Sequence, residues 1–279
     1  MFKSVGIVAR YDKEKALSLA DELANYLSKR DVEIFFEDTL KDKVKFKGRF
    51  IPLIEMRTDF IVTIGGDGTI LRTCITIPKP EPPIFAINMG VRGFMTEVEP
   101  EEARASLDRI LENKFRIEKC TKLSSTNKNH HYPDALNDVV VSGGEPSKIL
   151  YLQIYKDDKP ILQCEADGLI ISTRTGSTGY SMSAGGPILD PDVEAIIITP
   201  ICSLTTFPPI IFPAESRLSI EALRRKEIQI FIDGHSRHHL SPENSKITIT
   251  KSKNTTSFIR FEDKFYSRVK QRLLFRGMG

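Results

Sequence analysis

The sequence predicts an α/β domain built on a parallel sheet, followed by a largely antiparallel β domain and a final helix. Three observations carry this expectation. Short apolar runs alternate with helical stripes over the first 115 residues, and beyond Phe115 strand-like runs crowd together between turn signals. A chain of 279 residues with 40% hydrophobic side chains also suffices for one large or two ordinary cores. The expected domains are residues 1–115 and 116–261, with 262–279 packing back on the first.

In chain order, residues 5–9 form the first strand-like run. Ala16, Leu19, Ala20, Leu23 and Leu27 then recur at spacings of three and four, the stripe of an amphipathic helix. Residues 32–36 and 60–64 read as the next strands, the latter ending abruptly at Gly65-Gly66, and 84–87 as the fourth. Residues 101–111 place Ala103, Leu107, Ile110 and Leu111 on one side of a helix. Such alternation predicts parallel strands covered by helices on both faces. Residues 41–57 carry no clear period and are expected to form an irregular link or a poor helix. Further on, residues 135–141, 150–155, 161–163, 169–172, 196–199, 218–220, 228–232, 247–250 and 257–261 read as strands. Gly143-Gly144, Asp157-Asp158 and Pro242 separate some of them. Helical breaks are expected at 177–184 and 265–275.

Composition excludes several classes. Lys+Arg 40 against Asp+Glu 37 gives a net charge of +3, too balanced for a dedicated nucleic-acid binder. Residues 251–276 nevertheless carry eight basic groups against Glu262 and Asp263, net +6, which leaves −3 elsewhere. That tail is read mainly as the solvated face of a terminal helix, with Val269, Leu273 and Leu274 turned inward. Cys74, Cys120, Cys164 and Cys202 lie far apart without a C-x-x-C pair, which excludes a zinc ribbon and points to a reducing compartment. Arg10, Asp12 and Lys13 arrive too early for a secretory leader, so a cytoplasmic protein is expected. The uncharged window between Glu194 and Glu215 could span a bilayer by length. Pro200, Pro208, Pro209 and Pro213 break it into strand-length pieces, 195–199 and 210–212, and no membrane partner is expected. The pairs His130-His131 and His238-His239 lack zinc-ligand spacing and are read as surface or loop residues. Cys164 is read as a small core residue.

Two segments carry chemistry. Gly65-Gly66-Asp67-Gly68-Thr69 follows the third strand and opens a helix, where glycines admit a phosphate close to backbone amides. It is neither a Walker A loop nor a G-x-G-x-x-G fingerprint. The bland alternative is a tight turn in which Asp67 caps the helix. In residues 167–187 an apolar strand runs into a hydroxyl- and glycine-rich loop, then a short helix and a Gly185-Gly186-Pro187 turn. That density of small polar residues suits a sugar or phosphate ligand, with Tyr180 able to stack or hydrogen-bond. It is not a G-x-S-x-G elbow, since Thr175 holds the first glycine's place.

These two segments together resemble the NAD kinase family. Asn88-Met89-Gly90-Val91-Arg92-Gly93-Phe94 resembles the family's loop between them, and Ala135-Leu136-Asn137-Asp138 resembles its Asn-Glu/Asp pair. The glycine–Asp loop is shared with diacylglycerol and sphingosine kinases and phosphofructokinases; the long segment is specific. The resemblance implies a Rossmann-like α/β domain plus a β-sandwich domain, working as a homodimer or homotetramer. It also implies transfer of the γ-phosphoryl of ATP to the 2′-hydroxyl of the adenosine ribose of NAD, giving NADP. Mg²⁺ or another divalent cation would be held mainly through substrate phosphates.

By the same resemblance Asp67 is the general base, with Gly66, Gly68 and Thr69 bordering it and the phosphates. Arg72 is counted among the nucleotide-binding residues, and Phe94 lines the adenine pocket. Asn137 and Asp138 hydrogen-bond the ribose region. Asp167, Thr175, Thr178, Tyr180 and Ser183 contact the two ends of the dinucleotide, with Gly179 among them. Departures from the family pattern are Arg174 for Pro, Gly179 for Ala, His235 for Gln, and no basic residue at 203–209. Gly179 is expected to enlarge the site by a methyl group or loosen the short helix by about 1 kcal/mol. Arg174 is expected to face solvent. The rival readings are a diacylglycerol-type lipid kinase and a non-catalytic dinucleotide sensor.

Overall fold

A computed structural model describes residues 2–90, 93–128, 130–143, 149–205, 207–224 and 226–274, the side chains of Leu273 and Leu274 excepted. Val91, Arg92, Gly144, Phe275, Arg276 and the side chains of Leu273 and Leu274 figure in the sequence reading and lie outside the described residues. The chain separates into two compact units: residues up to Cys120 with those from Thr256 onward, and Thr121–Thr255.

The first unit opens β1 (Ser4–Ala9), α1 (Glu14–Ser28), β2 (Glu33–Glu37), β3 (Arg49–Ile51), β4 (Phe60–Gly65), α2 (Asp67–Thr76), β5 (Ile84–Asn88) and α3 (Ala103–Leu111). Its strands run parallel in the order β5-β4-β1-β2-β3. All of β4 and β5 is buried, as strands covered on both faces must be. α1 buries the anticipated stripe of Ala16, Leu19, Ala20, Leu23 and Leu27, together with Ala24, against Val5, Ile7 and Ile34 in one core. β3 falls within the segment expected to be irregular or helical. Three residues show no periodicity; this edge strand exists because Phe50 pairs with Phe36 and stacks on its ring at 5.4 Å.

β6 (Arg116–Asn127) crosses into the second unit, followed by β7 (His130–His131), β8 (Asp138–Gly143), β9 (Leu150–Lys156), β10 (Lys159–Ala166) and β11 (Gly168–Ser172). Then come α4 (Tyr180–Ser183), β12 (Ala195–Ile201), β13 (Ile210–Pro213), β14 (Leu218–Ala222), β15 (Ile228–Ile232), β16 (Ser236–Leu240) and β17 (Lys246–Arg260). One antiparallel sheet has the order β13-β12-β11-β8-β15-β16, and β10-β9-β14-β17 forms a second antiparallel run. Asp157-Asp158 makes the tight β9–β10 hairpin, both residues at positive φ (49° and 63°) as a two-residue turn of this hand requires. The uncharged window becomes β12 and β13. Among the described residues no helix is long and apolar enough to cross a membrane.

The runs at 247–250 and 257–261 belong, up to Arg260, to one fifteen-residue strand, β17. Its end returns to the first unit, where Phe258 pairs in parallel with Ile84 of β5, and α5 (Phe265–Leu274) follows. Among the described residues no disulfide forms, and Cys74, Cys120 and Cys164 are buried.

Candidate active site

In the first unit β4 ends at Gly65 and α2 begins at Asp67, so the glycine–Asp loop sits at the carboxyl end of the sheet, where ligands bind in open α/β folds. A methyl group on Gly65 would lie 2.8 Å from Thr69 Cβ and 3.1 Å from Arg10 Cγ, so only glycine lets the loop close over Thr69. Gly66 and Gly68 face open space: a Cβ on either meets nothing within 4 Å. Asp67 is fixed by two backbone donors. Phe94 N–H donates to Oδ2 at 2.9 Å and Met95 N–H donates to Oδ1 at 3.1 Å. Asp67 keeps 25% of its side chain exposed, and the Arg272 guanidinium lies 4.0 Å from Oδ2 and 4.7 Å from the centroid of the Phe94 ring.

In the second unit, residues 136–138 lead into β8 and residues 173–186 follow β11. Asp233, in the turn after β15, accepts the N–H groups of Leu136 (2.8 Å), Asn137 (2.7 Å) and Asp138 (3.0 Å). The hydroxyl-rich loop is tied to the same segment, because Thr173 N–H donates to Asn137 O at 2.8 Å and Thr173 Oγ1 donates to Leu136 O at 2.6 Å. Gly176 packs so tightly there that a Cβ would lie 2.6 Å from Asn137 C. Ser177 accepts from Leu189 N–H at 3.1 Å and Ser181 bonds Thr199 Oγ1 at 2.8 Å, which leaves Tyr180 and Ser183 exposed on the short helix. Asn137 is 8% exposed, and its side-chain oxygen is buried with no partner among the described residues. A buried polar atom of this kind is costly unless something bonds it. Burial, and then the negative Asp233, raise the Asp138 carboxyl to about 7. Burial also raises Asp233, against the lowering effect of its backbone donors and Lys122.

Both halves of the chain match family models. Residues 5–115 match the ATP-NAD kinase N-terminal domain, and residues 136–261 match the ATP-NAD kinase C-terminal domain. An NAD kinase of Pyrococcus furiosus is 40% identical over 272 residues, 96% of this chain and 98% of that protein. One of Methanothermobacter thermautotrophicus is 39% identical over 277 residues, 98% of this chain and 97% of that protein. The chain belongs to the NAD kinase family.

A solved structure agrees with that membership. An NAD kinase from Archaeoglobus fulgidus in complex with ATP superposes with a TM-score of 0.78 at 27% identity, covering 99% of this chain and 100% of that one. Yeast NADH kinase complexed with NADH gives 0.89 over 100% of this chain and 89% of that one; at 24% identity it speaks for the fold alone.

The residues singled out by the resemblance fall into two groups, one within each unit. Asp67, Gly66, Gly68, Thr69 and Phe94 converge in the first unit, and Asn137, Asp138, Thr175, Thr178, Gly179, Tyr180 and Ser183 cluster in the second. Asp167 stands apart. It precedes the five-residue β11 while Thr175 follows it, a separation of about 17 Å or more. Arg72 is committed elsewhere, its guanidinium fork taken bidentately by the buried Glu37, with Nη2 to Oε2 at 2.8 Å.

Arg174 does not face solvent as expected. Only 14% of its side chain is exposed, because it donates to Pro191 O and lies 3.8 Å from Glu194. A methyl group on Gly179 would come within 3.2 Å of Asn137 Nδ2, so its absence gives that side chain room. The basic tail is not wholly solvated either: Arg260 is buried and Arg268 is partly buried against Glu97. Asp233 and the fully buried Lys122 went unrecognised in the sequence. The Asp233-Gly234 pair, both at positive φ, was the available signal for the turn.

Proposed function

We propose that this chain is an NAD kinase, transferring the γ-phosphoryl of ATP to the 2′-hydroxyl of the adenosine ribose of NAD to give NADP. Family membership supports the reaction. The observation that carries the chemistry is the Asp67 carboxylate, oriented by two backbone donors beside glycines that face open space.

In this reading each Asp67 oxygen spends one lone pair on an N–H and keeps another for the ribose hydroxyl. The hydroxyl proton passes to Asp67 as the oxygen bonds the γ-phosphorus, while the bond to the β-phosphate oxygen breaks and ADP leaves with that electron pair. Such catalysis is chiefly positioning, which the paired amides supply. The α2 amides and the Gly66 and Gly68 backbone receive phosphate oxygens. Asn137, whose side-chain oxygen has no partner among the described residues, and Asp138 take the ribose region, and Tyr180 and Ser183 take a base or amide. Among the described residues no group of three or more His, Cys, Asp or Glu could hold a metal ion. A divalent cation bound with the substrate phosphates would neutralise charge developing in the transfer. Cytoplasmic, homo-oligomeric operation belongs to the same proposal.

Purified protein supplied with NAD, ATP and Mg²⁺ is expected to form NADP, and Asp67→Asn to lower kcat by roughly 10²–10⁴ with modest change in KM. Absence of NADP with NAD binding intact refutes the proposal in favour of a dinucleotide sensor. Phosphorylation of diacylglycerol but not NAD would instead select the lipid kinase.

A further inference from the structure

The segment that holds Asp67 is itself held from behind by charge. Phe94 C=O and Met95 N–H are opposite ends of one trans peptide unit and point in opposite directions. The N–H end donates to Asp67 Oδ1 at 3.1 Å, and the C=O end accepts from Arg268 Nη1 on α5 at 3.3 Å. The next carbonyl, of Met95, accepts from Arg260 Nη1 at 2.8 Å.

Both arginines are fixed by Glu97, whose side chain is fully buried. Arg268 Nη2 donates to Glu97 Oε2 at 2.9 Å and Arg260 Nη1 donates to it at 3.1 Å, while Phe261 N–H donates to Oε1 at 2.9 Å. Glu118 takes Arg260 Nε at 2.7 Å, so two guanidinium groups face two carboxylates. Glu97 is anchored in turn to the sheet, its N–H donating to Ala86 O of β5 at 2.7 Å. With Arg268 only 15% exposed, water competes weakly for this donor. A cationic donor on a carbonyl also polarises the far N–H of the same peptide and strengthens what it gives to Asp67.

We propose that Arg268 is a positioning residue for the phosphoryl-transfer step, clamping the Phe94–Met95 peptide so that its amide holds the Asp67 carboxylate in the attacking geometry. The inference rests on the proposed assignment of Asp67 as the base. A merely structural ion pair would stabilise the chain and leave turnover alone; a clamp on the base acts on kcat and only through Asp67.

The test uses the full chain with Arg268→Met, Arg268→Lys, Asp67→Asn and the Asp67→Asn/Arg268→Met pair. kcat, KM for NAD and ATP, and the thermal midpoint are measured for each. Arg268→Met is expected to lower kcat roughly 10- to 100-fold, the worth of one charge-assisted hydrogen bond, with either KM changed less than about threefold. Arg268→Lys keeps a cation beside Glu97 but has a single nitrogen for two acceptors, so its kcat is expected between the two. In the Asp67→Asn background Arg268→Met is expected to cost less than about threefold. Wild-type kcat in Arg268→Met overturns the inference, as does an equal loss in both backgrounds. If Arg268→Met does not fold, wild-type kcat in Arg268→Lys overturns it. Near-full kcat in Asp67→Asn removes the base assignment and this inference together, whereas an inactive Asp67→Asn with an independent Arg268 effect removes this inference alone.

Discussion

Gly93→Ala tests how narrowly the Asp67 carboxylate is placed. A methyl group on Gly93 would lie 2.7 Å from Asp67 Cγ and 3.0 Å from Oδ2, against an optimal carbon–carbon approach of about 3.5–4.0 Å. The overlap with Cγ is therefore about 1 Å, and either the carboxylate turns away or the Gly93 segment retreats. Both movements break the bonds from Phe94 and Met95, each a hydrogen bond to a charged group worth about 1.5–3 kcal/mol. Losing the pair removes roughly 3–6 kcal/mol of orientation, which converts to a fall in kcat of roughly 10²–10⁴. Gly93 does not occupy the left-handed region, so alanine strains nothing else in the backbone. NADP formation at saturating NAD and ATP measures kcat, and calorimetric titration with NAD confirms a folded binding site. A folded Gly93→Ala protein with kcat within about threefold of wild type would refute the reasoning.

Gly176→Ala places a Cβ 2.6 Å from Asn137 C and 2.8 Å from Asn137 Cα, backbone atoms that cannot swing aside. It should cost about 3 kcal/mol, visible as a thermal midpoint lower by roughly 6–12 °C. Asn137→Ala removes an oxygen that bonds nothing else among the described residues. The thermal midpoint should therefore stay within about 2 °C, while KM for NAD rises roughly tenfold, as for loss of a ligand hydrogen bond. Asp138, raised to about 7, holds a proton in the native chain that the unfolded chain releases near its ordinary value of about 3.9. The native state thus binds more protons in that window, and stability should fall as pH rises from about 4 to 7, by at most about 4 kcal/mol. Urea unfolding at pH 5 and pH 8 should show the slope in wild type and a flatter one in Asp138→Asn; equal slopes would count against it.

Elements whose identity rests on local pattern were legible in the sequence. β4 could be read because Phe60, Ile61, Val62 and Ile64 make a short run rich in apolar and β-branched residues that ends at glycine, and α1 because its apolar spacing admits one face. The glycine–Asp loop was legible because strand, glycines and helix are contiguous. β6 was not: its inward positions include Lys122 and Ser125 beside Leu123, so no apolar alternation shows. The supports of the site were equally hidden. Arg260 and Glu97 meet across 163 residues, and neither position differs in type from any solvated charge. Asp233 likewise serves residues nearly a hundred positions earlier through its carboxylate, where the sequence displays only an Asp-Gly turn.

The buried Glu97 has a consequence for the order in which the chain can be made. Its neutralising cations are supplied by Arg260 and Arg268, while Thr121–Thr255 lies between as an unbroken unit. During synthesis the intervening unit has its whole sequence available first. The earlier-made α/β portion must wait, because a carboxylate sealed from water without its partners costs several kcal/mol. On the ribosome, the portion translated first is therefore the one completed last.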